Sequence, residues 1–198
     1  MCREAERVKQ SDIEGHWVDN PPVHRDERGS LHEWFRHSLL ANCTGTVPFI
    51  TQANCTVSRR GSVRGIHYAV PGQAKSVACV YGAVLDVAVD IRVGSPSYGS
   101  WRAERLDGGN QATVHLSEDL GHAFMALSEG AVVVYLASRE YDPAEARAIN
   151  PLDPDLGIDW PLPPLLCERD RNAPTLAQAR ENGLLPHMTL PTEMGWPA

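Results

Sequence analysis

The sequence predicts an all-β protein, an antiparallel sandwich or barrel with short helices confined to its C-terminal third. Three observations carry this. Apolar residues between 76 and 138 recur with a period of two rather than at helical spacing. Sixteen glycines and fifteen prolines interrupt those runs at strand-length intervals. From Asp142 onward the alternation gives way to proline-rich segments around brief helical stretches.

The longest alternating segment, S-V-A-C-V-Y-G-A-V-L-D-V-A-V-D-I-R-V at 76–93, reads as strand on either side of Gly82. Leu85, Val87, Val89 and Ile91 share one face, and Val84, Asp86, Ala88 and Asp90 share the other. This predicts a strand with one face in the core and two carboxylates on the opposite face. Ala112 to Leu127 reads as strand, turn and strand around S-E-D-L-G, and A-V-V-V-Y-L-A-S at 131–138 is a further strand. In the C-terminal third, N-P-L-D-P-D and D-W-P-L-P-P surround short helices, the clearest being P-T-L-A-Q-A-R-E-N with Gly183 behind it. There is no internal repeat and no low-complexity linker. A chain of 198 residues that is 42% apolar can bury one substantial core, so residues 1–198 are expected to form one domain.

Composition excludes several functions. No run of eighteen apolar residues is present, so no membrane helix is expected. The N-terminus, M-C-R-E-A-E-R-V-K-Q, is charged where a secretory signal needs an apolar stretch, which predicts a cytoplasmic protein. Five scattered cysteines (Cys2, Cys43, Cys55, Cys79, Cys167), with no C-x-x-C pair, indicate reduced thiols rather than a disulfide framework or a zinc knuckle. A net charge of −7 argues against nucleic acid as a partner. An anionic ligand would need a local basic cluster.

The chemistry centres on R-G-I-H-Y-A-V-P-G-Q-A-K at 64–75. One histidine on a strand is more often structural than catalytic, because function needs converging partners. Lys75 changes the balance: an ammonium facing a protein interior costs several kcal/mol (~3–5) unless its charge is paired or used. Metal sites on β-barrels use closely spaced histidines followed by a glutamate, whereas His67 is followed by Tyr68 and Ala69, with His115 and His122 scattered elsewhere. No catalytic metal is expected.

Q-A-N-C-T-V-S-R-R-G-S-V-R-G-I-H-Y (52–68), G-Q-A-K (72–75), G-A-V-L-D-V-A-V-D-I-R-V-G-S-P-S-Y-G-S-W (82–101), L-G-H-A-F (120–124) and L-G-I-D-W-P (156–161) together resemble the dTDP-4-dehydrorhamnose 3,5-epimerase family. The resemblance runs from about Pro22 to Pro174 and is nearest to the branch found in antibiotic deoxysugar pathways. No single motif is decisive; their order and spacing are. The resemblance implies a cupin-type jelly roll, usually a homodimer, without metal or cofactor. The implied substrate is a dTDP-linked 4-keto-6-deoxy sugar inverted at C3, with C5 left open.

Such a reaction needs a base, an electrostatic partner for the enolate oxygen, and a proton donor on the opposite face. The resemblance assigns the base to His67, and an imidazole, titrating near about 6.5, suits the task. It assigns oxyanion stabilisation to Lys75 with Arg64 nearby, the donor to Tyr135, and the carboxylate that orients the histidine to Asp170. On the residues alone, Tyr135 equally fits a core tyrosine and Asp170 a surface aspartate in a proline-rich tail. D-E-R-G-S-L-H-E at 26–33 matches a nucleotide-contacting motif through Arg28 and Glu33, from the same chain or from the neighbouring subunit. Gln52 and Asn54 match further nucleotide contacts. Arg59 and Arg60 add positive charge that a solvated face would also explain, and His122 fits either a site or a core role. Leu31 stands where many relatives have phenylalanine, Ala69 where primary-metabolism enzymes have glutamine, and Cys167 and Arg169 where serine and lysine are common. A non-catalytic sugar-binding cupin and a metal-dependent cupin isomerase or oxygenase are the competing classes.

Overall fold

A computed structural model describes residues 7–45 and 49–188. Cys2 lies outside them; the four described cysteines are free. In chain order the elements are β1 (Val8–Gln10), β2 (His16–Asp19), β3 (Val23–Asp26), β4 (Gly29–His32), α1 (His37–Thr44), β5 (Gln52–Ser58), β6 (Val63–Ala69), β7 (Lys75–Tyr81), β8 (Ala83–Asp90), β9 (Trp101–Asp107), β10 (Thr113–Leu116), β11 (Leu120–Ala126), β12 (Ala131–Ala137), β13 (Ala146–Ala148), α2 (Glu168–Arg171) and α3 (Leu176–Glu181).

The strands form a six-stranded sheet, β1-β2-β10-β7-β12-β5, facing a five-stranded sheet, β13-β6-β11-β8-β9; β3 and β4 form a separate hairpin. From β5 to β13 the chain passes back and forth between the two sheets, with β8–β9 as the one step that stays within a sheet. All strand pairings are antiparallel. This interleaving is the jelly roll expected from the sequence. Gly82 makes the switch from β7 in one sheet to β8 in the other with φ +75°, where a side chain would also strike Ser128.

The interior between the sheets is apolar at one end, where Val77, Val114 and Val133 of the larger sheet meet Val84, Leu106 and Phe124 of the smaller. The expectation for 83–91 requires correction. Both faces of β8 are buried, because Val87, Val89 and Ile91 pack outward against Ile149, Leu156, Leu176 and Leu185 of the C-terminal segment. Asp86 and Asp90 therefore face the interior, at 1% and 0% exposure. The segment read as strand-turn-strand at 112–127 is two strands, β10 and β11, that lie in opposite sheets. The predicted C-terminal helix is α3, opened by a capping box between Thr175 and Gln178.

The C-terminal segment also delivers α2. Leu165 bridges Ser62, exchanging backbone hydrogen bonds with Gly61 and Val63, and Leu166 packs on Val63 and Met125. That docking sets α2 against β6.

Candidate active site

β6 carries His67 into the space between the sheets, and α2 brings Asp170 to meet it: His67 Nε2 lies 2.7 Å from Asp170 Oδ1. The contact depends on Gly65. Its backbone N–H donates to Asp170 Oδ2 at 3.2 Å, and with φ +127° a side chain there would fall 2.5 Å from the His122 carbonyl oxygen. Asp170 is buried at 2% exposure, not at the surface as a proline-rich tail suggested. Burial works to raise its pKa, but the His67 contact and the Gly65 N–H outweigh it and hold the carboxyl below its ordinary value. An ionised carboxylate only accepts hydrogen bonds, so Nε2 of His67 carries the proton and Nδ1 is the basic nitrogen.

His67 and Lys75 lie in opposite sheets and face each other across the interior rather than along one hairpin. Both line a cavity of about 440 Å³ with Tyr135, Gln52 and Asn54. Lys75 is half-buried at the start of β7, and burial lowers its pKa to about 8 against the raising effect of Asp86. Tyr135 pairs in register with Asn54 on β5 and Val77 on β7. Burial raises its pKa, with Arg64 opposing, so at neutral pH it is a phenol with a proton to give. Gln52 is fixed on both sides, donating to Asn54 Oδ1 at 2.8 Å and accepting from Tyr141 N–H at 2.7 Å.

The remaining candidates divide. Arg64 donates to Ser58 Oγ at 3.0 Å and does not line the cavity, although its charge acts on Tyr135. His122 stands beside His67 in the β6–β11 register and bonds Asp86, Nε2 to Oδ2 2.8 Å. Arg60 turns away to the Leu127 carbonyl, and neither it nor Arg59 lines the cavity. Arg28 projects from the β3–β4 turn and pairs with Asp26, while Glu33 bridges Arg7 and Arg36; neither lines the cavity of its own chain.

Sequence reasoning missed Arg139, Tyr141, Arg147 and Arg169, which line the same cavity; the three arginines stand there among Glu140, Asp142 and Glu145, and Arg139 pairs with Glu145 at 3.1 Å. The adjacency of Arg169 to Asp170 in C-E-R-D was the available signal; the other three sit in or beyond the connection after β12, where no periodicity marks them. A second cavity of about 410 Å³ takes in Glu14, Trp17, Arg92 and His115, but of the four proposed catalytic residues only Lys75 borders it. Among the described residues no group of three or more His, Cys, Asp or Glu is placed to hold a metal.

A paired histidine and aspartate, a half-buried lysine and a protonated tyrosine are the kinds of group that proton transfer beside a carbonyl requires. The family model for dTDP-4-dehydrorhamnose 3,5-epimerase matches residues 10–178. The chain belongs to this family. It is 50% identical over 178 residues to a dTDP-4-dehydro-6-deoxyglucose 3-epimerase of Streptomyces bikiniensis, covering 88% of this chain and 91% of that one. Its fold matches NovW, a 4-keto-6-deoxy sugar epimerase from the novobiocin biosynthetic gene cluster of Streptomyces spheroides, with a TM-score of 0.89 and 49% identity over 91% of this chain and 92% of that one. It also matches ChmJ, a 3'-monoepimerase from Streptomyces bikiniensis solved with dTDP-quinovose, with a TM-score of 0.87 and 49% identity over 89% of this chain and 91% of that one. As an epimerase of this family the protein is an isomerase, and among its described residues no helix is long and apolar enough to cross a membrane.

Proposed function

We propose that this epimerase inverts C3 of dTDP-4-keto-6-deoxy-D-glucose in deoxysugar biosynthesis for an antibiotic or related natural product. The carrying observation is the convergence of His67, Lys75 and Tyr135 on one cavity, with His67 held 2.7 Å from a buried carboxylate. Nδ1 of His67 removes the C3 proton, and the electron pair of the broken C–H bond forms the C3–C4 double bond of an enolate. Lys75 stabilises the negative C4 oxygen. Tyr135 protonates C3 from the other face and regains its proton from solvent, as His67 returns its own. Gln52, Asn54 and Arg64 bind the nucleotide side, with Arg139, Arg147 and Arg169 meeting the diphosphate; a guanidinium makes two parallel hydrogen bonds to such a group.

The assembly in this reading is a homodimer. Its support is the β3–β4 hairpin, which stands apart from both sheets with Leu31 72% exposed, and whose Arg28 and nearby Glu33 have no place in the cavity of their own chain. In a dimer they reach the partner subunit's nucleotide. A cytoplasmic location completes the reading, supported by the four free described cysteines.

NMR of dTDP-4-keto-6-deoxyglucose incubated with the protein in D2O tests the reaction. Replacement of the C3 proton by deuterium is expected, and the C5 signal reads the second centre in the same spectrum. A sugar that keeps both protons would rule the reading out.

A further inference from the structure

Gln73 lies in the 70–74 connection between the strand that carries His67 and the strand that opens with Lys75. Its side chain lines the cavity, and its Nε2 donates to the Arg139 carbonyl at 2.7 Å. A carbonyl only accepts, which fixes the end of the amide that meets it. At the start of the same connection, the Val70 N–H donates to the Glu145 carbonyl at 3.1 Å. Arg139 and Glu145 are themselves joined, with Arg139 Nη2 3.1 Å from both carboxylate oxygens. One short turn therefore grips both legs of the segment between β12 and β13.

That segment, residues 138–145, is a strap that crosses from the larger sheet to the smaller one. It walls the cavity with Arg139, Glu140, Tyr141, Asp142 and Glu145. Its far turn is closed internally: Asp142 accepts from the Ala144 N–H through Oδ1 at 2.7 Å and from the Ala146 N–H through its carbonyl at 2.9 Å. Its near leg depends on side chains. The β7–β12 pairing runs one step past the strands, where the Ala74 N–H donates to Ser138 Oγ at 2.9 Å and the Ser138 N–H to the Ala74 carbonyl at 3.1 Å. Beyond that step Gln73 supplies the next bond from the β7 flank, and Gln52 receives the Tyr141 N–H at 2.7 Å from the β5 flank.

We propose that Gln73 is a positioning residue. Through the Arg139 carbonyl it sets the strap against the cavity and so determines how tightly the nucleotide sugar is held. His67, Lys75, Tyr135 and Asp170 are seated on β6, β7, β12 and α2 and keep their places without it. This rests on the epimerase reading.

Gln73→Met keeps the side-chain length and removes the donor without adding charge. One neutral hydrogen bond corresponds to about a two- to tenfold change in an equilibrium. In the ligand-free protein, hydrogen exchange at the Tyr141 amide, read by NMR, should therefore become about two- to tenfold faster, while the Tyr135 amide within β12 stays at its wild-type rate. The KM for dTDP-4-keto-6-deoxyglucose should rise by a similar factor with kcat within about twofold, the pattern of lost binding that ground state and transition state share. Gln73→Lys, which restores a donor, should return the Tyr141 amide towards its wild-type rate. Where Gln73→Met does not fold, Gln73→Glu has the same shape without the donor and should speed the same exchange. A raised KM with the Tyr141 amide unmoved would put Gln73 on the ligand itself, and a lowered kcat at constant KM would put it in the chemistry; either overturns the proposal. Failure of the wild type to exchange the sugar's protons would instead overturn the epimerase reading, because the amide exchange is read without ligand.

Discussion

His67 Nε2 and Asp170 Oδ1 lie 2.7 Å apart although 103 residues separate them in the chain. The aspartate reaches the histidine because Leu165 and Leu166 dock along β6 and place α2 beside Gly65. A neutral amide in its place cannot enforce the same tautomer, since either end of the amide can meet the ring. Asp170→Asn should therefore lower kcat by a factor of about 10²–10⁴ while dTDP affinity, measured by calorimetry, stays within about twofold. A kcat near wild type would remove Asp170 from the machinery.

Tyr135→Phe keeps the ring and its packing and deletes only the donor. Enolate still forms at His67 and is returned mostly from the same face. Deuterium from solvent should then enter C3 faster than the epimer accumulates, whereas in the wild type exchange and inversion should run together. Undiminished epimerisation by this variant would show that another group, or water, supplies the proton.

Arg28→Ala tests the hairpin. With Arg28 serving the partner subunit's nucleotide, the substitution should raise the Kd for dTDP about tenfold and leave kcat at saturation nearly unchanged. Sedimentation should report a dimer for both proteins. A monomeric wild type with an unaltered Kd in the variant would withdraw the hairpin from the site.

Asp90 is a structural counterpart to these groups. It is fully buried and takes hydrogen bonds from Arg92 at 2.9 and 2.8 Å, Ser95 at 2.5 Å and Ser97 at 2.6 Å. Burial opposes ionisation, but these donors together bring its pKa to about 2. A carboxyl whose folded pKa lies below its unfolded value adds stability above the unfolded value, near ~3.9, and loses it as pH falls through the folded one. Its contribution should therefore disappear between pH ~4 and ~2. Asp90→Ala also leaves Arg92 buried without its partner, at a cost of ~3–5 kcal/mol, which predicts a fall in Tm on the order of 10 °C at neutral pH. A Tm within a degree or two of wild type would contradict this.

Much of the fold was legible because strand alternation is local: β8, β11 and β12 all fall within segments whose apolar residues repeat every second position. Alternation does not say what covers the outer face. That Val87, Val89 and Ile91 are buried beneath the C-terminal segment is a tertiary fact, and with it the two carboxylates on the other face of the strand lie in the interior as well. The site followed the same division. His67 and Lys75 stood out within one short segment, and Asp170 was reached only through family resemblance because its burial depends on where α2 docks. Asp86 was visible as a residue but not as a partner of His122, since that contact depends on the pairing of β8 with β11. The arginines of the cavity, Arg139, Arg147 and Arg169, come from loops and short elements whose charge in the sequence is indistinguishable from solvated surface.

The central claim is that His67 removes the C3 proton. It is tested most directly by following the C3 signal of dTDP-4-keto-6-deoxyglucose in D2O with wild type and with His67→Asn, each confirmed to bind dTDP. The account predicts that the wild type replaces the proton and inverts the centre, and that His67→Asn slows both by about 10²–10⁴ together. Exchange at C3 by a folded, dTDP-binding His67→Asn protein at close to the wild-type rate would contradict it.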